Sequence, residues 1–281
     1  MKKILLSMAV VAAGFSVQSQ VITAGVSPAN IAGNYEFEWA DPAGGDWATP
    51  DFFTAGVFVQ DTLMLIDDGS TGTNPQGNPI SAEACAGSPA AGSPPGPGNW
   101  NDLTGKIAVI YRNTCEFGWK ALQAENAGAV AVIILNRDDE VVGMGGGAEG
   151  LNVTIPVVML SSSNGANLTN EMANGPVVMF IGNKVGAYND DAGSSDGELL
   201  IAPYGGVHKD IFTGFDLGIQ VYNFGINAQN VNVTATIDGP SGNVYTETVG
   251  PLMMNSTDTA SIFNGNPIGE FTPYVYDGAT H

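Results

Sequence analysis

The chain has 281 residues, 28 of them acidic and 8 basic, for a formal charge of −20. That balance disfavours nucleic acid and anionic membrane surfaces as partners. Charged residues make up only 13% while glycine (38) and proline (16) abound, which suits extracellular strands joined by turns better than a helical bundle.

The opening "MKKILLSMAVVAAGFSVQSQ" places Lys2 and Lys3 before an apolar run too short to span a bilayer, followed by small and polar residues. This reads as a secretory signal peptide over residues 1–19, cleaved near Ser19, so the mature chain is expected to be secreted or at the cell surface, with no transmembrane segment. Roughly 260 residues would remain, enough for two domains that each bury a core. The expected boundaries are 20–185, an acidic linker at 186–198, and a second domain at 199–281.

From Val21 to Gly69 the pattern is of short strands broken by loops; "GVFVQDTLMLIDDGS" alternates and then stops on Asp-Asp-Gly. Residues 70–99 are rich in glycine, proline and serine and form a loop, with Cys85 inside it. "GKIAVIY" (105–111) predicts a buried strand, 117–129 a helix, "AVAVIIL" (129–135) and "IPVVMLS" (155–161) two further buried strands. Strand, helix, strand at this length implies a parallel pair. On the helix, Phe117, Ala121, Ala124 and Gly128 share the core face and Trp119 points away from it. The stretch "RDDEVVGMGGGAEGLNVTI" predicts an exposed, mobile loop, "SNGANLTNEMANG" a second helix closed by Gly175, and "PVVMFIG" (176–182) a fourth strand. Beyond residue 199 the pattern is all strand, with "DGPSGN" as a hairpin turn, the pattern of an immunoglobulin- or fibronectin-like β-sandwich. Its last strand is expected to lie beyond the end of the sequence.

Cys115 stands at the start of the first helix, where a catalytic thiol would gain acidity. An exported chain with two cysteines favours a Cys85–Cys115 disulfide instead. A thiol protease would also need a positioned histidine; His208 falls in the second domain and His281 is the last residue.

The stretch "LTGKIAVIYRNTCEFGWKALQAENAGAVAVIILN", followed by a glycine-rich gap and "VTIPVVMLSSSNGANL", resembles the protease-associated (PA) domain. The residues that carry the resemblance are Gly105-Lys106-Ile107, Arg112, Cys115 with Phe117, Lys120 and Ala121, Ala127-Gly128-Ala129, Asn136, and Ile155-Pro156-Val157-Val158. It covers residues 100–182 and, more loosely, the strands upstream from about residue 24. The resemblance implies a mixed α/β (α+β) fold, a β-sandwich or open barrel flanked by helices. It also implies a bridge from Cys85 to the cysteine at the helix start, and a non-catalytic role in protein contacts, often beside a secreted bacterial peptidase.

A zinc-peptidase motif is missing from the sequence: there is no His-Glu-x-x-His pair. Asp67 with Asp68, and Asp138 with Asp139, read as solvated turn residues. For a protein or peptide ligand the candidate contacts are Arg112, Trp119 and Met144. The plainer arrangement puts Trp119 under the 70–99 loop and Arg112 beside a carboxylate, and single aromatics usually find such cover. Asp190, Asp191, Asp196 and Glu198 offer hard oxygen ligands for calcium, the one cofactor suggested, although their spacing is not that of an EF-hand and a solvated linker also fits. The sequons at Asn152, Asn167, Asn232 and Asn255 carry little weight behind a leader of bacterial type. The expectation is a non-enzymatic recognition module; the alternative is the non-catalytic portion of a larger secreted peptidase with further domains.

Overall fold

The computed structural model describes residues 21–194, 199–200, 217–239, 242–262 and 270–272. The predicted leader, His208 and His281 lie outside the described residues.

The strands in chain order are β1 (Val21–Ser27), β2 (Gly33–Asn34), β3 (Glu38–Trp39), β4 (Phe58–Leu65) and β5 (Ile107–Tyr111). Helix α1 (Phe117–Asn126) leads to β6 (Ala131–Leu135) and β7 (Val157–Leu160), and helix α2 (Ser162–Met172) to β8 (Val178–Asn183). These strands make one eight-stranded mixed sheet in the order β2-β1-β8-β4-β5-β6-β7-β3. Its centre, β4-β5-β6-β7, is parallel, with Ile107 beside Ala131 and Val132 beside Val157. The flanking pairs β1–β8, β4–β8 and β3–β7 are antiparallel.

Both faces of that centre are covered, which is why β5 and β6 read as unbroken apolar runs instead of alternating. Ala108, Ile110, Val132 and Ile134 face Ala121 and Ala124 of α1, with Trp47 and Met144 completing the cluster. Ile107, Val109, Ile133 and Leu135 face the other way, toward Leu168 of α2, Phe52 and Met179. Side chains of opposite parity along each strand therefore feed two separate cores.

The remaining described strands are β9 (Ala192–Gly193), β10 (Leu199–Leu200), β11 (Gly218–Asn223), β12 (Gln229–Gly239), β13 (Gly242–Met254) and β14 (Thr259–Ile262). β11 is flanked by β10 and β14 and also pairs with β9. β12 and β13 form the expected hairpin, with Ile237 opposite Tyr245. Val233, Ala235 and Val249 of the hairpin pack on Leu217, Ile262 and Phe271, so two β layers share a core.

The stretch expected as a free acidic linker is bonded through its described part. The Phe224 amide donates to Asp191 O at 2.7 Å, Ile226 N to Tyr188 O at 3.1 Å, and Gly186 N to Phe224 O at 2.8 Å. Lys184 lies over the Phe224 ring at 3.8 Å, and its Nζ is 3.9 Å from an Asp191 oxygen. Backbone donors that would otherwise need water are thus taken up by the turn after β11.

Candidate recognition cleft

The first turn of α1 is built into three other segments. Cys115 is joined to Cys85 across a sequence separation of 30, with the α-carbons 5.7 Å apart. Glu116 accepts from the amide of Ala148 at 3.0 Å. Gly118 lies directly under the 143–150 loop: a β-carbon there would sit 2.0 Å from Gly146 O and 2.6 Å from Gly150 N, both backbone atoms. Only glycine permits that approach.

The loop after β6 is exposed at residues 137–140 and at Gly143, Gly145, Gly147 and Ala148, as its composition suggests, but Met144, Gly146 and Gly150 are buried and tied down. Asp46 accepts from Gly146 N at 2.7 Å, and the Trp47 indole N–H donates to Met144 O at 2.8 Å. Met144 itself is only 7% exposed and belongs to the core under α1, which removes its side chain from the surface as a ligand contact.

Arg112 occupies a separate place. Its Nη1 donates to Asn136 Oδ1 at 2.7 Å and its guanidinium stacks on Phe117 at 5.6 Å. Its partner is thus an amide and a ring, in place of the expected carboxylate. The structure does not gather Arg112, Trp119 and Met144 into one surface.

Trp119 does border open space. On one side Ser88, Pro89, Ala90, Glu116, Ala148 and Glu149 join it around a cleft of about 260 Å³. On the other, Ala86, Gly87, Gly96, Gly98, Trp100 and Gln123 line a hollow of about 290 Å³. The ring is half-buried, covered in part by the proline- and glycine-rich loop as the plainer reading expects. That loop closes on itself: Gly87 N donates to Pro94 O at 3.0 Å, and a β-carbon on Gly96 would fall 2.3 Å from the Gly87 α-carbon. The Trp119 indole N–H has no hydrogen-bond acceptor among the described residues.

Around the disulfide lies a buried polar cluster that was not expected from sequence. Asp68, Glu83 and Lys120 are at most 2% exposed. Asp68, taken from sequence as a solvated turn residue, accepts from the amides of Ser70 (2.9 Å), Cys85 (3.2 Å) and Ala86 (3.0 Å). Glu83 accepts from Asn74 at 3.0 Å and from the Thr114 hydroxyl at 2.9 Å. Lys120 Nζ donates to the Glu83 carbonyl and to Cys85 Sγ, the latter at 3.2 Å. A signal was present in the text: Phe117, Lys120, Ala121 and Ala124 stand at i, i+3, i+4 and i+7, so the lysine occupies the inward stripe.

Burial lowers the pKa of Lys120 from its usual value to about 7, opposed by the charges of Glu83 and then Asp68. A lysine whose folded pKa is depressed binds fewer protons when folded than when unfolded, between that value and its ordinary one. Stability should therefore rise as pH increases from about 7 toward about 10. Denaturant unfolding at pH 7, 8 and 9 checks this, with Lys120→Met expected to flatten the slope; an equal slope in the variant would assign it to other groups.

The other acidic candidates have protein partners. Asp139 accepts from Ser163 N at 3.1 Å at the start of α2, and hydrogen bonds from Ser163 and then Ser161 hold its carboxyl below the ordinary value. Asp138 lies 3.5 Å from Arg137. Asp190 accepts from Asn227 at 3.0 Å and Asp191 faces Lys184, while Asp196 and Glu198 lie outside the described residues. Among the described residues there is no group of three or more His, Cys, Asp or Glu placed to hold a metal, and no helix is long and apolar enough to cross a membrane.

The family profile of the PA domain matches residues 54–168, which hold the parallel strands β4 to β7 and the bridged α1. Residues 54–168 are a PA domain. Over 72 residues the chain is 42% identical to signal peptide peptidase-like 3 of Arabidopsis thaliana, and over 70 residues 43% identical to aminopeptidase YwaD of Bacillus subtilis strain 168. Each match takes in 25% of this chain but only 13% and 15% of those relatives. Among solved structures, an aminopeptidase from Aneurinibacillus sp. strain AM-1 aligns over 59% of this chain and 30% of its own, at 21% identity and TM-score 0.36. A peptidase M28 precursor from Shewanella amazonensis SB2B aligns over 58% and 33%, at 18% identity and TM-score 0.35.

Proposed function

We propose that this chain is a non-catalytic, exported recognition module whose PA domain binds an extended protein or peptide segment beside Trp119. The observation that carries the reading is the cleft itself. Trp119, Pro89, Glu116 and Glu149 are among the residues that line it, and the loop that supplies Ser88, Pro89 and Ala90 is anchored nearby by the disulfide at Cys85. A basic side chain of an extended peptide fits that combination, with its methylene stem on the ring and its charge between the carboxylates. The excess of acidic over basic residues across the chain would favour encounter with such a ligand.

The second reading, a portion of a larger secreted peptidase, is supported by the similarity to aminopeptidase YwaD. On that reading the cleft holds a basic segment of the peptidase's own substrate or catalytic part. Residues 199–281 would serve in either case as an immunoglobulin-like β-sandwich spacer, consistent with the two packed β layers.

Titration with a set of extended peptides differing only in central residue tests the site. Lysine- and arginine-centred peptides are expected to bind at least about tenfold tighter than glutamate-centred ones, with the preference shrinking as salt rises. Trp119→Ala should remove the binding and Glu149→Gln should weaken it. Equal binding by Trp119→Ala would remove this surface.

A further inference from the structure

The buried lysine is not explained by packing alone, because a methionine of similar length would fill the same space without the cost of desolvating a charge. Its Nζ points at sulfur: Cys85 Sγ lies 3.2 Å from Lys120 Nζ and 3.2 Å from the Cys115 backbone N–H. Both groups sit at the N-terminal end of α1, where unpaired amides add positive potential. Cys85 is fully buried, whereas Cys115 is 8% exposed and stands between the exposed Thr114 and Glu116.

We propose that the Cys85–Cys115 bond is a thiol–disulfide exchange site with a built-in direction, in which an external dithiol attacks Cys115 and Cys85 leaves as a thiolate held by Lys120. In the first step the thiolate of the dithiol forms a bond to Cys115 Sγ, the Cys85–Cys115 bond breaks, and its electron pair goes to Cys85 Sγ. In the second step the remaining thiol of the dithiol attacks its own sulfur in the mixed disulfide and gives its proton to the departing Cys115 sulfur. The dithiol is oxidised to its disulfide by two electrons and the protein is reduced by two. A lower leaving-group pKa speeds such exchange, and hydrogen-bond donors in contact with sulfur lower that pKa; a thiolate at Cys85 would in turn favour the protonated form of Lys120.

The charges around Cys85 work in both directions. The carboxylates of Asp68 and Glu83 oppose a thiolate, but each is held by its own donors: the amides of Ser70, Cys85 and Ala86 for Asp68, and Asn74 and Thr114 for Glu83. Lys120 and the Cys115 amide touch the sulfur directly. Those two direct contacts are what would hold a thiolate at Cys85.

Two measurements test the assignment. With the intact chain, a monothiol such as glutathione is added to low conversion and the adduct is located by peptide mass mapping. It is expected on Cys115, and adduct mainly on Cys85 would overturn the direction. In folded Cys115→Ser protein, ultraviolet thiolate absorbance against pH should place the Cys85 midpoint at least about one unit below the usual value of about 8.5. Lys120→Met in that background should raise it by at least about one unit. A midpoint at or above about 8.5 with Lys120 present would sink the proposal, and the trapping result on unmodified protein decides it if the variants do not fold.

Discussion

Replacing Asp68 by alanine is expected to destabilise the chain by about 3–5 kcal/mol, the range for removing one member of a buried charged cluster. Three backbone amides lose their acceptor at once, those of Ser70, Cys85 and Ala86. Each buried donor left unmatched costs about 1–3 kcal/mol, less where water can reach it. Water can reach part of this site, because Asp68 also borders a hollow of about 480 Å³ with Ser70, Pro94 and Asn99, so the sum stays below three full penalties. Lys120 at the same time loses one of the two negative charges that support its protonated form. Asp68→Asn keeps one acceptor oxygen and should fall between wild type and alanine. Equilibrium denaturation of the three proteins checks the order, and a loss under about 1 kcal/mol for Asp68→Ala would mean that the amides find other partners.

The parallel centre of the sheet was legible because its two cores impose long apolar runs on β5, β6 and β7, and those runs survive without any context. Helix α1 was legible for its small residues at 121 and 124, and for the cysteine that precedes it. The PA domain followed from the order of those segments. Burial decided by chain crossings was not legible. Asp68 sits in an Asp-Asp-Gly turn that looks solvated, and it is buried only because the loop bearing Cys85 returns over it. Met144 lies among glycines, and those glycines are what let its loop press onto Gly118 and drive the methionine inward. Trp119 fell between the two readings, roofed by the loop yet still lining a cleft. The acidic stretch after β8 looked like a linker because many of its bonds run through backbone, to the turn after β11, and side-chain composition does not report those.

Removing the disulfide with Cys85→Ala and Cys115→Ala is expected to cost about 3–4 kcal/mol, since the bond closes a loop with a sequence separation of 30 and the penalty follows from the chain entropy released on unfolding. The native arrangement should largely persist, because Asp68 grips the amides at 85 and 86 independently of the sulfurs, and Gly87 is bonded to Pro94. The cleft beside Trp119 would then keep its wall, and peptide binding should weaken far less than in Trp119→Ala. The two anchors act on the same few residues, so their losses should not add: with the bond gone, Asp68 is the main tether of the loop, and Asp68→Ala should cost more in that background than in the bridged protein. A double-mutant cycle by urea denaturation measures this. Additive losses within about 0.5 kcal/mol would show that the carboxylate and the bridge hold separate parts of the fold.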